Sequence, residues 1–311
     1  MSHTPDPQQE SSLASFPSAP VRPRKAAQAP AIGLQRIIPN MITLMALIAG
    51  VTSVQMAINQ NFETAVLMLL VAAIFDVLDG AVARALKASS EFGAELDSLS
   101  DFLAFGVAPA TLLYIWALDD AGRFGWIATV ILPMAAALRL ARFNVMAKKS
   151  AELPLWKKRY FSGVPTPAGA GLALLPVYIW FLSPETFEIF SFATPLIGIW
   201  TIIVAALMVS RIPTFSFKYM KLPARGAVPV MALIGLVIAA LIHAPWVTLT
   251  LISLAYVASI PVVLHRYRKQ EKEFSEGQED LSSLAFGMDS LPEDESPNEE
   301  EEPGDLPRTS F

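Results

Sequence analysis

Apolar residues along this chain come in blocks of about twenty, separated by short polar turns, rather than alternating with polar ones. The blocks fall at about 37–58, 63–83, 98–118, 124–143, 166–182, 193–210, 226–243 and 246–264. Each is close to the roughly 20 residues that an α-helix needs to cross a hydrocarbon layer. The pattern predicts an all-α, polytopic membrane helical bundle of about eight transmembrane helices. Prolines at 109, 133, 176, 229 and 261 lie inside blocks. Kinks there are tolerated where neighbouring helices cover the freed carbonyls. Polar residues intrude at one end of the third and fourth blocks, so their limits are the least sharply drawn.

Charge gives an independent test of that layout. With the N-terminus inside, every Lys and Arg except Arg123 falls in the parts expected to be cytoplasmic, or at the helix ends facing them. The opposite turns hold Glu63, Asp119, Asp120, Glu185 and Glu188. This positive-inside asymmetry predicts eight spans with both termini cytoplasmic. The first 35 residues are polar and Pro-rich and do not read as a cleavable signal peptide.

Composition sharpens the class. Of 311 residues, 53% are hydrophobic and 16% charged, where a soluble domain carries roughly a quarter. The absence of cysteine excludes disulfides, thiol catalysis and cysteine metal sites. Histidines at 3, 243 and 265 are too scattered for a histidine centre. Trp116, Trp126, Trp180 and Trp246 near block ends suit an interfacial aromatic belt. The net charge of −5 hides two opposite parts. Residues 271–311 hold 14 acidic and two basic residues, which leaves 21 basic against 14 acidic in residues 1–270, a net of +7. A basic body suits anionic headgroups and phosphate-bearing substrates, and nothing points to a nucleic-acid partner. The chain is divided into a disordered arm (1–33), a main bundle of about six helices (34–220), two further C-terminal helices (221–268) and an acidic disordered tail (269–311).

One stretch breaks the apolar pattern. "DVLDGAVARALKASSEFGAELDSLSD" carries Asp76, Asp79, Asp97 and Asp101 beside the second and third blocks. The first pair is spaced i, i+3 and the second i, i+4, so each pair shares a helical face. A short polar link joins the two helices and lets four carboxylates face one pocket. A carboxylate at mid-membrane costs about 2.5–3.5 kcal/mol on insertion scales, and only Arg84 and Lys87 are close in sequence. Hard divalent cations, Mg²⁺, Ca²⁺ or Mn²⁺, are the natural partners of an all-oxygen site. Two such ions about 3.5–4 Å apart can clamp a phosphate. An ion or proton pathway would also use paired carboxylates, although Gly80, Ala81 and Ala83 suggest something bulky pressed against backbone.

The stretch has the pattern D-x2-D-G-x2-A-R-x8-G-x3-D-x3-D and resembles the signature of the CDP-alcohol phosphatidyltransferases. The resemblance implies that Asp76, Asp79 and Asp97 bind two divalent ions, Mg²⁺ or Mn²⁺. It implies that Asp101 is both a metal ligand and the general base. It also implies that Gly80, Arg84, Ser90 and Gly93 hold the CDP part of the donor. "PNMIT" is similar to the family's opening motif and brings in Asn40 and Thr43 as donor contacts. Helix capping at the membrane surface would explain those two equally well.

Four more stretches, "DFLAFGVAPA", "RLARFN", "GVPTPAGAG" and "LMVSRIPTFSFK", resemble the bacterial, membrane-integral branch that uses L-serine as acceptor. The implied reaction moves a phosphatidyl group from CDP-diacylglycerol to L-serine and releases CMP. Choline, glycerol 3-phosphate or an inositol compound would be alternative acceptors, and a divalent-cation transporter a more distant reading. Arg139 and Arg142 share a helical face with Asn144 next to it, and arginine pairs bidentately with a carboxylate. These three residues are the expected acceptor contacts. The resemblance further implies a homodimer in the bacterial inner membrane, with the active site facing the cytoplasm.

Overall fold

The computed structural model describes residues 34–149, 160–185, 193–215 and 227–289. The expected arm (1–33), most of the basic loop "KKSAELPLWKKRY" and the end of the acidic tail lie outside those residues. The fold is an all-α bundle, as the block pattern predicts, with helices α1 (Leu34–Ile58), α2 (Phe62–Ala85) and α3 (Glu91–Phe102). Then follow α4 (Ala108–Leu113), α5 (Gly122–Lys149), α6 (Thr166–Ala173) and α7 (Leu175–Leu182). Helices α8 (Ala193–Val209), α9 (Ala227–His243) and α10 (Pro245–Asp289) complete it. One small addition is an antiparallel pair, β1 (Tyr160–Ser162) with β2 (Pro213–Phe215), in which Tyr160 faces Phe215.

Small residues bring α1 and α2 together. Ala46, Ala49, Ser53 and Ala57 recur at helical spacing on one face of α1, and all are buried. Ala65, Leu69 and Ala72 do the same on α2. Without bulk between them the backbones can approach closely, as small-residue faces allow in membranes. The Ser53 hydroxyl donates to the Ala65 carbonyl at 2.8 Å and fixes the register at the far end. Asn61 caps α2 by accepting from the Thr64 amide at 3.2 Å. Continuing the α2 face from Ala72 by four residues and then three reaches Asp76 and Asp79. The acids therefore extend the buried face of the helix instead of interrupting it.

Helices α3 to α5 form one apolar run, Glu91–Met146, that folds back on itself. Two π turns, Leu103–Val107 and Tyr114–Leu118, flank α4. Pro109 near the start of α4 cannot donate a helical hydrogen bond and would crowd the carbonyl four residues earlier; a wider π turn relieves that crowding. The reversal comes at Asp119–Ala121 and at Gly122, whose φ of 53° favours glycine. Helix α5 then packs back along α4 and both π turns. At Gly106 an added Cβ would lie 3.0 Å from the Ala136 Cβ, so α5 rests on the turn itself.

The largest core lies between this hairpin and α6–α8, where Leu112, Leu113, Leu132, Leu172, Val177, Val204 and Met208 are fully buried. Elsewhere large apolar side chains face outwards, most of all on α9, where Ile242 is 80% exposed. Water would penalise such a surface at about 25 cal/mol per Å², whereas lipid does not. Three described helices, Ile37–Ile58, Phe62–Ala85 and Pro245–Lys272, and the folded run Glu91–Met146 are long and apolar enough to cross a membrane. Thr194–Val209 and Val228–His243 are shorter apolar helices. The chain is an integral membrane protein.

Helix α10 continues to Asp289, well past the point where sequence reading starts an acidic tail. Its 45 residues span about 67 Å at 1.5 Å per residue, roughly twice a hydrocarbon core. The first part of the extension, 266–273, is mostly Arg, Lys, Gln and Glu, all good helix formers. Lys269 and Glu273, and Lys272 and Glu276, stand at the i, i+4 spacing that supports a solvated helix.

Candidate functional site

At one end of the bundle the start of α1, the end of α2, the start of α3 and the end of α5 converge. The start of α6 and the segment after α8 join them there. Hydrogen bonds between helices hold this convergence. The Thr43 hydroxyl donates to Asp79 Oδ2 at 2.6 Å, joining α1 to α2. The Ser100 hydroxyl donates to the Thr43 carbonyl at 3.3 Å, joining α3 to α1. Asn144 Nδ2 donates to Ser98 Oγ at 3.0 Å, joining α5 to α3. Arg139 Nη1 donates to the Thr166 hydroxyl, joining α5 to α6. Arg142 Nη1 donates to the Ser210 carbonyl at 3.2 Å, which ties in the end of α8.

Three of the four aspartates gather here. Asp76, Asp97 and Asp101 each offer an oxygen, and these oxygens lie within 4.8 Å of one another. Asp79 lies beside the cluster, buried, with its Oδ2 held by Thr43. Among the described residues the cations acting on these groups are Arg84, on Asp79, and Arg139, on Asp101. Two guanidinium charges do not balance four carboxylates in so small and partly desolvated a volume. The donor set is hard oxygen throughout, which fits Mg²⁺ or Mn²⁺ and would neutralise the excess.

A cleft of about 150 Å³ opens next to the cluster. Asn40, Thr43, Asp79, Gly80, Ser90, Gly93 and Asp97 are among its lining residues, so most of the expected donor contacts share one wall. Asp97 and Asp79 belong to the wall, which places the carboxylates directly beside the cleft. Gly93 has a steric reason: an added Cβ would lie 2.9 Å from Asn40 Oδ1 and 3.0 Å from Ser90 Oγ. Arg84 folds back over Gly80, with Nη1 at 3.2 Å from where a Cβ would stand. The Ser90 hydroxyl accepts from the Gly93 amide at 3.0 Å and caps α3, so it has a structural task in addition to lining the cleft.

The expected acceptor residues lie on the other flank. Arg139 is only 8% exposed, and its Nε has no hydrogen-bond partner among the described residues. The guanidinium stands 5.8 Å from the centre of the Phe143 ring. A buried donor without a partner is costly to leave unsatisfied, which marks this flank as built for an anionic or acceptor-bearing group. Sequence reading missed Ser98, Ser100 and Thr166, the polar partners that hold the site together. Ser98 and Ser100 sit in plain view within "DSLSD", but their spacing alone does not say which helix they face.

Comparison with known proteins gives a consistent picture. The CDP-alcohol phosphatidyltransferase family profile matches residues 36–211, and the CDP-alcohol phosphatidyltransferase 2 profile matches residues 227–261. A Mycobacterium leprae protein is 35% identical over 245 residues, covering 76% of this chain and 77% of its own. A Helicobacter pylori protein is 34% identical over 189 residues, covering 60% of this chain and 74% of its own. A Bacillus subtilis protein is 34% identical over 182 residues, covering 58% of this chain and 91% of its own. All three carry the name CDP-diacylglycerol–serine O-phosphatidyltransferase.

Proposed function

Because the chain belongs to the CDP-alcohol phosphatidyltransferase family, we propose that it transfers a phosphatidyl group from CDP-diacylglycerol to L-serine. The products are phosphatidylserine and CMP. The observation that carries this reading is a cluster of three carboxylates, one of which, Asp97, lines a cleft together with Asp79 and other signature residues. The names of the relatives give the donor and the acceptor.

The family is metal-dependent in general, and the oxygen-rich cluster fits a divalent cation. Asp76, Asp79, Asp97 and Asp101 would hold Mg²⁺ or Mn²⁺, two ions in the reading that the resemblance supports. Bound there, the ions supply positive charge against the pyrophosphate and the departing CMP. The remaining work falls to the chain's own residues. Asn40, Gly80, Arg84, Ser90 and Gly93 bind the CDP half of the donor along the cleft, with Thr43 beside them. Arg139, Arg142 and Asn144 orient the serine carboxylate and direct its hydroxyl towards Asp101.

Asp101 accepts the hydroxyl proton as the serine oxygen attacks the phosphorus that carries diacylglycerol. The bond from that phosphorus to the CMP oxygen breaks, and CMP leaves with the electron pair. A carboxylate within reach is needed because the hydroxyl is a poor nucleophile near pH 7. In this reading residues 34–220 form the catalytic bundle and 221–268 an addition to it. The site faces the cytoplasm of a bacterial inner membrane, and the enzyme is a homodimer.

The test is purified protein with CDP-diacylglycerol, Mn²⁺ or Mg²⁺, and labelled L-serine, choline, glycerol 3-phosphate or inositol in parallel. Labelled phospholipid is expected with serine alone, together with stoichiometric CMP. Product from glycerol 3-phosphate and none from serine would overturn the acceptor and leave the chemistry standing.

A further inference from the structure

Thr43 occupies a place that lining the cleft does not explain. Its side chain is 4% exposed, and its hydroxyl is turned to Asp79 Oδ2 at 2.6 Å rather than into open space. The Pro39 carbonyl lies 3.1 Å from the same hydroxyl. One hydroxyl proton serves one acceptor at a time, and the carboxylate contact is the shorter. The Thr43 carbonyl meanwhile accepts from Ser100, which is 2% exposed and stands immediately before Asp101. Thr43 is thus in contact with Asp79 on α2 through its side chain, and with the turn carrying Asp97 and Asp101 through its backbone.

The packing of α1 on α2 puts it there. The small face of α1 that includes Ser53, Ala49 and Ala46 leads at the same spacing to Thr43. The facing side of α2 leads from Ala65 through Ala72 to Asp79. Ser53 meets Ala65 at one end of this antiparallel pair, and Thr43 meets Asp79 at the other. Because the backbones are close and the register is fixed at the far end, the hydroxyl cannot drift from the carboxylate without separating the helices. The Asp79 Oδ2 is held by this hydroxyl, so the plane of the carboxylate is set from α1.

We infer that Thr43 is a positioning residue: it fixes the orientation of the Asp79 carboxylate towards a divalent cation, and Ser100 braces Thr43 against the turn bearing Asp97 and Asp101. The inference rests on the reading that Asp79 holds such an ion. A partner that orients a ligating carboxylate supports metal affinity without touching the metal.

The experiment measures Mn²⁺ binding to the full purified chain, without lipid or nucleotide, by electron paramagnetic resonance of free Mn²⁺. Wild type, Asp79→Asn, Thr43→Val, Thr43→Ser and Ser100→Ala are compared, each with its melting temperature. Thr43→Val keeps the shape and removes the hydroxyl; it should weaken binding by about 10- to 100-fold, the usual range for such partners. Thr43→Ser restores the hydroxyl and should bind as wild type does. Ser100→Ala should fall between them, because the Thr43 carbonyl remains in place. Wild-type affinity in Thr43→Val beside a loss in Asp79→Asn would overturn the inference alone. Equal losses in Thr43→Val and Thr43→Ser, with lowered melting temperatures, would also overturn it, since packing and not the hydroxyl would then be at work. Wild-type affinity in Asp79→Asn would overturn the reading of Asp79 itself, and the inference with it.

Discussion

The two flanks of the site are built differently. The flank proposed for the donor comes from one contiguous stretch, Asp76–Asp101, plus the start of α1. Its parts are locked by contacts between neighbouring helices: Thr43 to Asp79, Ser100 to Thr43, and Gly93 to Ser90. The flank proposed for the acceptor is gathered from the end of α5, the start of α6 and the segment after α8. Arg139 and Arg142 are held by Thr166 and Ser210, 27 and 68 residues away. Arg139 also keeps a buried donor nitrogen without a partner, while the donor flank has none of that kind among the described residues. A flank made from one hairpin holds its groups in fixed relation, which suits the proposed donor site. A flank assembled from distant segments can change one arginine or threonine at a time, which suits a proposed acceptor site.

The sharpest way to break this comparison is to remove what both flanks serve. Chelation of divalent ions should reduce phosphatidyl transfer to background, and Mn²⁺ or Mg²⁺ should restore it in the same sample. Asp101→Asn should lower turnover by about 10²- to 10⁴-fold, the usual contribution of a general base. Its melting temperature should not fall, since the change removes one negative charge from a cluster whose oxygens lie within 4.8 Å. A variant that unfolds instead would mean that Asp101 serves the fold more than the reaction.

Next in size is a change confined to the acceptor flank. Arg139→Lys keeps the charge and loses the planar fork. It should raise the KM for serine by about 10- to 100-fold, as expected when a hydrogen bond to a charged group worth 1.5–3 kcal/mol is lost. The KM for CDP-diacylglycerol should stay within error. Equal shifts in both constants would show that the two flanks do not act separately.

Legibility follows the same division. Apolar blocks of bilayer length identified the all-α membrane bundle, because each segment had to satisfy its own backbone in lipid, but they did not show that 166–182 divides into α6 and α7. The four acids were legible because carboxylates are rare in such blocks and their spacing selects a face. The sequence did not reveal that Asp79 stands apart from the tighter group of Asp76, Asp97 and Asp101. That division depends on which acid meets Thr43, a matter of helix register and not of spacing. The π turns around α4 were equally hidden, since Pro109 signals a disturbance without saying how the chain absorbs it. Thr166 lies within the resembling stretch "GVPTPAGAG", yet its role appears only once Arg139 reaches it across 27 residues.

A smaller effect sharpens the donor side. Gly93→Ala would set a methyl 2.9 Å from Asn40 Oδ1, closer than real Cβ contacts come, and 3.0 Å from Ser90 Oγ, which is tight. Both neighbours are side-chain ends that can yield, so the fold should survive while the cleft wall shifts. The KM for CDP-diacylglycerol should rise about tenfold, which corresponds to 1.4 kcal/mol. The KM for serine should not move.

The smallest effect lies where the flanks meet. Ser98 stands one residue after Asp97 and accepts from Asn144 Nδ2 at 3.0 Å, so one hydroxyl ties the acid-bearing turn of α3 to the end of α5. The same hydroxyl is 3.0 Å from the Ala94 carbonyl, an ordinary bond back along its own helix. Ser98→Ala removes both contacts, but neither residue is fully buried, so water can take up the freed amide of Asn144. The net loss should be about 1 kcal/mol, or roughly fivefold. It should appear in the KM for serine, because Asn144 is the group released to move while Asp97 keeps its place in the cluster. A fivefold change in the donor constant instead would mean that the hydroxyl steadies Asp97, and that the flanks are joined more tightly than their separate construction implies.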